Sequence, residues 1–191
     1  MAPGDLGRLV RRHTAESLAV LPILDRLGVE SLIDLGAGGG FPGIPLKLAR
    51  PDLDVALVES RRLKALFLRR VVIRLGLEGA WVWVMRAEGL ARLPATPASD
   101  TMDLVAASAG GGDAPTILPR VDLVTARAVA PLAVLADWSA PLIRRGGHLL
   151  AFKGSRLERE LEDWRSDPTG WELKDRSSVG AGIQVILLGR T

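Results

Sequence analysis

Fourteen residues, Leu32 to Pro45, constrain this chain more than any others: Leu-Ile-Asp-Leu-Gly-Ala-Gly-Gly-Gly-Phe-Pro-Gly-Ile-Pro. Ser31 to Leu35 is an apolar run carrying one acid, the pattern of a buried strand. Glycine then fills four of the next five positions. It ends the strand, admits φ > 0 and leaves no Cβ between backbone and ligand. Gly43-Ile44-Pro45 opens a helical pattern, with Pro42 and Pro45 placed where a helix tolerates proline, near its start. A strand, a glycine turn and a helix N-terminus make a nucleotide-type cradle, in which free N–H groups and the helix dipole face the ligand.

Two registers fit the loop. Gly38, Gly40 and Gly43 match the dinucleotide fingerprint G-x-G-x-x-G. Asp34, Gly36 and Gly38 match D-x-G-x-G, the S-adenosylmethionine (AdoMet) loop of Rossmann-like methyltransferases. The tight turn must follow the strand directly, and Leu35 is the last apolar residue, which makes Gly36 the turn glycine. Asp54 to Val58 reads as the second strand, and Glu59 follows it at once. Both folds place an acid there to accept two ribose hydroxyls, so Glu59 is expected to bind ribose in either register. An NAD(P) oxidoreductase stays open on the glycines and Glu59, but it would lack an evident acid–base pair: the chain has no Tyr and only two His.

The remaining elements follow in order. Residues 6 to 27 read as one amphipathic helix through Leu18, Leu21 and Leu24, closed by Leu27-Gly28, with Arg8, Arg11 and Arg12 near its start. Arg61 to Gly76 reads as a helix with an apolar stripe of Leu63, Leu66, Phe67 and Val71. It carries Arg61, Arg62, Lys64, Arg69, Arg70 and Arg74 and no acid, which fits a phosphate-facing surface. Trp81 to Met85 is the third strand. Arg86-Ala87-Glu88 then flanks an adenine position, with Glu88 able to accept from the adenine amino group or to start a short helix to Leu93. Pro94 to Pro119, rich in Ala, Gly, Ser, Thr and Pro, is expected to be a flexible loop. Val121 to Ala128 is the fourth strand, and Arg127 at its end is poorly explained by core packing. A helix over Pro131 to Ile143, a stop and turn at Arg144-Arg145-Gly146-Gly147, and a fifth strand His148 to Phe152 lead to Lys153-Gly154. A charged helix, Arg156 to Trp164, and two closing strands, Trp171 to Lys174 and Gly182 to Leu188, complete the pattern. The expected fold is α/β, a doubly wound Rossmann-like sheet with a C-terminal antiparallel strand pair, in a single domain over 1–191.

Composition narrows the chemistry. The net charge of +3 suits a polyanionic partner. There is no cysteine, which removes disulfides, Cys-ligated metal and a Cys nucleophile. His13 and His148 are too few and too far apart to promise a metal or His-based site. The sequence shows neither an apolar run of about 18 residues nor a signal-peptide apolar region, so a soluble, cytoplasmic protein without membrane contact is expected.

The glycine loop through Phe41-Pro42-Gly43-Ile44-Pro45, the Arg86-Ala87-Glu88 step, Thr125-Ala126-Arg127-Ala128 and Lys153-Gly154 resemble the bacterial small-subunit (16S) ribosomal RNA guanine-N7 methyltransferases, the glucose-inhibited division protein B family. Arg12-His13 with Glu16-Ser17-Leu18 is similar to that family's pre-strand helix. The resemblance covers about residues 11 to 188. It implies AdoMet as cofactor, lined by Gly36, Gly38, Phe41, Ala87, Glu88 and Arg127. It further implies methylation of a guanine N7 in a decoding-region loop, on the rRNA or the assembled small subunit, with Arg127 and Lys153 toward the substrate and no metal. The chain departs from the family in starting without the earlier helices and their Asn-Leu-Thr element, in a longer loop before Val121, and in Glu16 where the family has aspartate. The short start is expected to bear on RNA docking rather than on cofactor binding. The chemistry asks little of side chains: N7 has a free in-plane lone pair, and the sulfonium is already activated. Orientation then replaces a general base, and no catalytic acid or base is expected.

Overall fold

The computed structural model describes residues 3–93, 120–168, 170–180 and 182–191. The expected loop over Pro94 to Pro119 lies outside them. Two helices, α1 (Pro3–Leu18) and α2 (Leu21–Leu27), precede β1 (Ser31–Leu35), α3 (Gly43–Ala49), β2 (Asp54–Val58), α4 (Arg62–Arg74), β3 (Ala80–Trp83) and the short α5 (Ala87–Leu90). After the undescribed stretch come β4 (Val121–Arg127), α6 (Leu132–Ser139), a 3₁₀ turn (Ala140–Leu142), β5 (Ile143–Lys153), α7 (Leu157–Arg165), β6 (Trp171–Gly180) and β7 (Ile183–Arg190).

The strands form a seven-stranded sheet in the order β3-β2-β1-β4-β5-β7-β6. The first five are mutually parallel, and β7 runs antiparallel to both β5 and β6. The chain order reverses direction between β1 and β4, and ligands bind outside the strand ends at such a switch point. Alternation along each strand divides the core in two. Ile33 and Leu35 of β1 pack with Ala56, Val124, Leu135 and Trp164 on one face, while Leu32 packs with Leu24, Leu46, Leu57 and Leu68 on the other.

Four expectations are revised. The single helix over 6–27 is two: Pro22 lacks the N–H that would continue α1, and it sits in the first turn of α2. Gly28 closes α2 as expected, with φ +61 and its N–H on the carbonyls of Asp25 and Leu24. Helix α4 turns Ala65 and Leu68 to the sheet, so Leu63, Leu66 and Phe67 are exposed rather than core. Arg144 to Gly147 is not a turn before β5 but an irregularity inside it, where the register against β4 jumps from Val121↔Ile143 to Leu123↔His148. Gly147 makes that bulge possible, because a Cβ there would lie 2.6 Å from Ile143 Cγ2 and 2.8 Å from the Asp122 carbonyl oxygen. Finally, β6 extends beyond Lys174 to Gly180, which lengthens the terminal antiparallel pair.

Candidate cofactor and substrate site

The glycine loop takes the conformation its sequence requires. Gly36, Gly38 and Gly40 have φ of +68, +57 and +92, and the Phe41–Pro42 bond is cis. Gly36 is the turn residue directly after β1, and a Cβ on it would come within 2.7 Å of Val129 Cγ2. Gly43 must also be bare, since its Cβ would meet Leu57 Cδ2 at 2.5 Å and Asp34 Oδ2 at 2.9 Å. Asp34 lies beneath the loop, fully buried. One of its oxygens accepts the Gly43 N–H at 3.0 Å, and the other accepts the Thr125 hydroxyl at 3.1 Å. Burial pushes its carboxyl up to about 7, against the pull of these two donors and the Arg127 charge. Asp34 therefore fastens α3 and β4 to β1 and does not face a ligand.

Glu59 sits beside the loop. Its carboxylate accepts the Gly38 N–H at 3.1 Å and the Arg61 N–H at 2.8 Å, one on each oxygen. It ties the glycine loop to the start of α4 and retains one lone pair per oxygen.

An open cleft lies at the ends of β1 to β4, lined by Gly36, Val58, Ser60, Met85, Arg86, Ala87, Glu88, Val129 and Trp138. Its mixture of apolar walls and a few polar groups suits a small-molecule ligand. Gly36, Ala87 and Glu88 among the predicted residues line it. Sequence reasoning missed Ser60, Met85, Val129 and Trp138. The first two adjoin the predicted Glu59 and Arg86-Ala87, so adjacency to a strand end was the available signal. Trp138 carries none, because its apolar helical spacing reads as core.

Phe41 and Arg127 belong to a second group, on the α1 side of the loop. Ala128, with φ +54, is a non-glycine residue in the left-handed region between Arg127 and cleft-lining Val129. That conformation costs about 1 kcal/mol. Arg127 Nη2 donates to Glu16 Oε2 at 2.5 Å and lies 2.7 Å from His13 Nδ1. The guanidinium carbon stands 5.8 Å from the Phe152 ring centre, within cation–π range. His13 packs against Phe41 with ring centres 5.5 Å apart. Burial raises the Glu16 carboxyl, but the charged contacts with Arg12 and Arg127 bring it down to about 2. Arg127 Nη1 is buried and has no hydrogen-bond partner among the described residues.

Lys153 lies apart from both groups. It is buried, and its ammonium donates to the Ala130 carbonyl at 2.7 Å and to Glu160 Oε2 at 2.6 Å. The same Glu160 oxygen accepts the Leu132 N–H at 2.9 Å, so Lys153 clamps the start of α6 to α7. Burial lowers its pKa, and Glu160 opposes that shift. Among the described residues no group of three His, Asp or Glu side chains could hold a metal ion, and no helix is long and apolar enough to cross a membrane.

The strand order, the glycine turn after β1 and the cleft at the switch point define a Rossmann-like methyltransferase fold. Solved structures of that architecture include the putative methyltransferase yhhF from Escherichia coli, at TM-score 0.61 and 14% identity, covering 92% of this chain and 85% of that one. A methyltransferase from Geobacter sulfurreducens aligns at TM-score 0.63 and 14% identity over 92% of this chain and 78% of that one. The chain belongs to the family described as rRNA small subunit methyltransferase G, whose model matches residues 1–181. The protein named Ribosomal RNA small subunit methyltransferase G in Thermobifida fusca is 38% identical over 168 residues, 87% of this chain and 59% of that protein. Its namesake in Sorangium cellulosum is 40% identical over 153 residues, 80% of this chain and 55% of that protein. The chain thus spans between half and two thirds of the length of these curated relatives.

Proposed function

We propose that this chain methylates guanine N7 in small-subunit ribosomal RNA, using AdoMet held in the cleft at the ends of β1 to β4. The observation that carries this reading is the open cleft at the ends of β1 to β4, where Gly36 of the glycine turn meets Ala87, Glu88 and Val129, which lies two residues past Arg127. Family membership supports the choice of rRNA.

Bound there, AdoMet supplies a sulfonium-activated methyl group. The chain's own residues bind and orient. Gly36 and Gly38 bring backbone close to the ligand, and Glu59 offers its remaining lone pairs to the ribose hydroxyls. Ala87 and Glu88 flank the adenine, with the Glu88 carboxylate as acceptor for its amino group. Val58, Met85, Val129 and Trp138 exclude water from the ring. Arg127 presents a donor toward the reacting end, and Phe41 with His13 walls that end. No side chain needs to move a proton, because N7 has none to lose, and holding nucleophile and methyl in line is the catalytic task.

The α4 surface fits the RNA partner. Leu63 and Phe67 are 83% and 51% exposed among exposed Arg61, Arg62, Lys64 and Arg70. Cations with interleaved apolar and aromatic groups suit a backbone that tracks phosphates while bases stack. Lys153, clamped to Glu160, would reach RNA only by leaving that pair.

The test is incubation of purified protein with methyl-labelled AdoMet and small ribosomal subunits from a strain lacking the modification, followed by mapping of the label. Label on one guanine N7 establishes enzyme, reaction and target. AdoMet binding without label would show a non-catalytic binder instead. Binding of a nicotinamide cofactor in place of AdoMet would restore the oxidoreductase reading.

A further inference from the structure

Among the described residues, Arg127 is held firmly on one side and bare on the other. A guanidinium has no acceptor, so the lone pair of His13 Nδ1 must face Arg127 Nη2, and the imidazole proton sits on Nε2. Nδ1 is then a neighbour of Glu16 Oε2, 3.3 Å away, and not a donor to it. Glu16 in turn accepts Arg12 Nε at 2.8 Å. One nitrogen of Arg127 thus donates toward both a carboxylate and an imidazole of α1, while the other, buried, has no acceptor among the described residues. A buried N–H left bare is costly, and since no described residue supplies this one with an acceptor, a ligand oxygen is the acceptor it fits.

We propose that Glu16 is a positioning residue: from α1 it fixes and neutralises Arg127, with His13, so that Nη1 is presented to an oxygen acceptor of the bound ligands. That acceptor is either the AdoMet carboxylate or guanine O6. The inference rests on the methyltransferase reading of the site. Neutralisation has a specific purpose in the second case. Transfer to N7 leaves a positive charge on the guanine ring, and a bare guanidinium beside it would oppose the reaction by Coulomb repulsion. An ionised Glu16 cancels that charge while leaving the N–H donor in place. Helix α1 thereby becomes part of the site through Glu16, which touches neither ligand.

The experiment compares Glu16→Gln, Glu16→Asp and Ser17→Ala. The last loosens α1 without touching Arg127, because the Ser17 hydroxyl donates to the His13 carbonyl. For each, the AdoMet Kd is measured by calorimetry, kcat and KM with small ribosomal subunits, and the unfolding midpoint. Glu16→Gln keeps the side-chain volume and loses the charge. If Nη1 serves the carboxylate, it raises the AdoMet Kd by about tenfold to a hundredfold; if Nη1 serves O6, the Kd holds and kcat falls by a similar factor. Glu16→Asp recovers most of either loss, and Ser17→Ala lowers the midpoint while Kd and kcat stay within about twofold of the parent. The proposal is overturned if Glu16→Gln is folded with Kd, kcat and KM all unchanged. It is equally overturned if Ser17→Ala loses as much activity as Glu16→Gln for the same loss of stability. Should the parent bind AdoMet yet methylate nothing, the functional reading fails by itself, and the Kd of Glu16→Gln alone decides the role of Glu16. A parent that binds no AdoMet overturns both.

Discussion

Two carboxylates flank the end of β4, both out of reach of solvent and oppositely tuned. Asp34 is 1% exposed and Glu16 is 2% exposed. Yet the Asp34 carboxyl lies near 7 and that of Glu16 near 2. Burial penalises the charged form of both. Desolvation weighs far more on Asp34, deep beneath the loop. The company differs too: Asp34 has one backbone N–H and one hydroxyl as neutral donors and only the distant field of Arg127, whereas Glu16 touches the guanidiniums of both Arg12 and Arg127. Hydrogen bonds alone do not offset the burial of a carboxylate here, and charge-assisted contacts do. Asp34 belongs to the scaffold under the loop, while Glu16 belongs to the machinery beside it.

Removing the residue common to both tests this division most severely. Arg127→Ala strips Glu16 of its closest partner and Asp34 of the one cation among the described residues that lowers it, and it deletes the Nη1 donor. Breaking a buried pair on one side costs about 3–5 kcal/mol, moderated here because Arg12 remains on Glu16. The expected result is a drop in the unfolding midpoint of about 10 °C and a methyl-transfer rate down by more than about a hundredfold. Arg127→Lys separates the two effects: it keeps a cation for Glu16 but has no second planar nitrogen. Its stability should recover while transfer stays low, as read by thermal unfolding and labelled-methyl incorporation side by side. Full activity in Arg127→Lys would break the argument for Nη1.

The two acids also give opposite pH limbs. Glu16 is depressed from 4.5 to about 2, so its stabilisation is complete above about 4.5 and lost as the pH falls toward 2. Asp34 is raised from 3.8 to about 7, so between those values the native state holds a proton that the unfolded chain lacks, and stability falls as the pH rises through that window. Thermal midpoints across pH 3 to 9 should show Glu16→Gln flattening the acid limb. Asp34→Asn, whose amide oxygen still accepts from Gly43, should flatten the limb above about 4 and raise the midpoint at pH 8 by a few degrees. An Asp34→Asn midpoint below the parent's at pH 8 would show that the ionised acid stabilises the loop after all.

The scaffold side of this comparison was far easier to read from the sequence than the α1 side. Asp34, Gly36 and Gly38 sit in one contiguous loop, and the D-x-G-x-G spacing carries the turn after β1 directly. The strand cores follow from short apolar runs bounded by glycine and proline. Ala87 and Glu88 follow a strand end, which in this topology faces the crevice. Glu16 and Arg127, by contrast, are separated by four strands of chain, and no local period links them. Only resemblance marked Glu16, and it gave no partner. The α4 phase was misread for a related reason: Leu63, Leu66 and Phe67 outweigh Ala65 and Leu68 in bulk, but the sheet leaves room for the smaller face. Lys153 at a strand end has the same address as a ligand-binding residue, and only the arrival of Glu160 from α7 distinguishes a clamp.

The mildest change probes the scaffold acid through its neutral partner. Thr125→Val keeps the shape of a fully buried side chain and removes the hydroxyl that donates to Asp34 Oδ1 at 3.1 Å. With one donor gone, ionising Asp34 becomes harder, so its carboxyl should rise further. The cost must then depend on pH. Above about 7, where the native acid is ionised, a donor to the carboxylate is lost, worth about 1–2 kcal/mol. Near pH 5 the acid is protonated and needs that donor less, and the cost should shrink to a few tenths of a kcal/mol. Urea unfolding of both proteins at pH 5 and pH 8 reads the difference. A penalty equal at the two values would mean that Thr125 contributes packing alone and that the elevation of Asp34 owes nothing to its choice of partners.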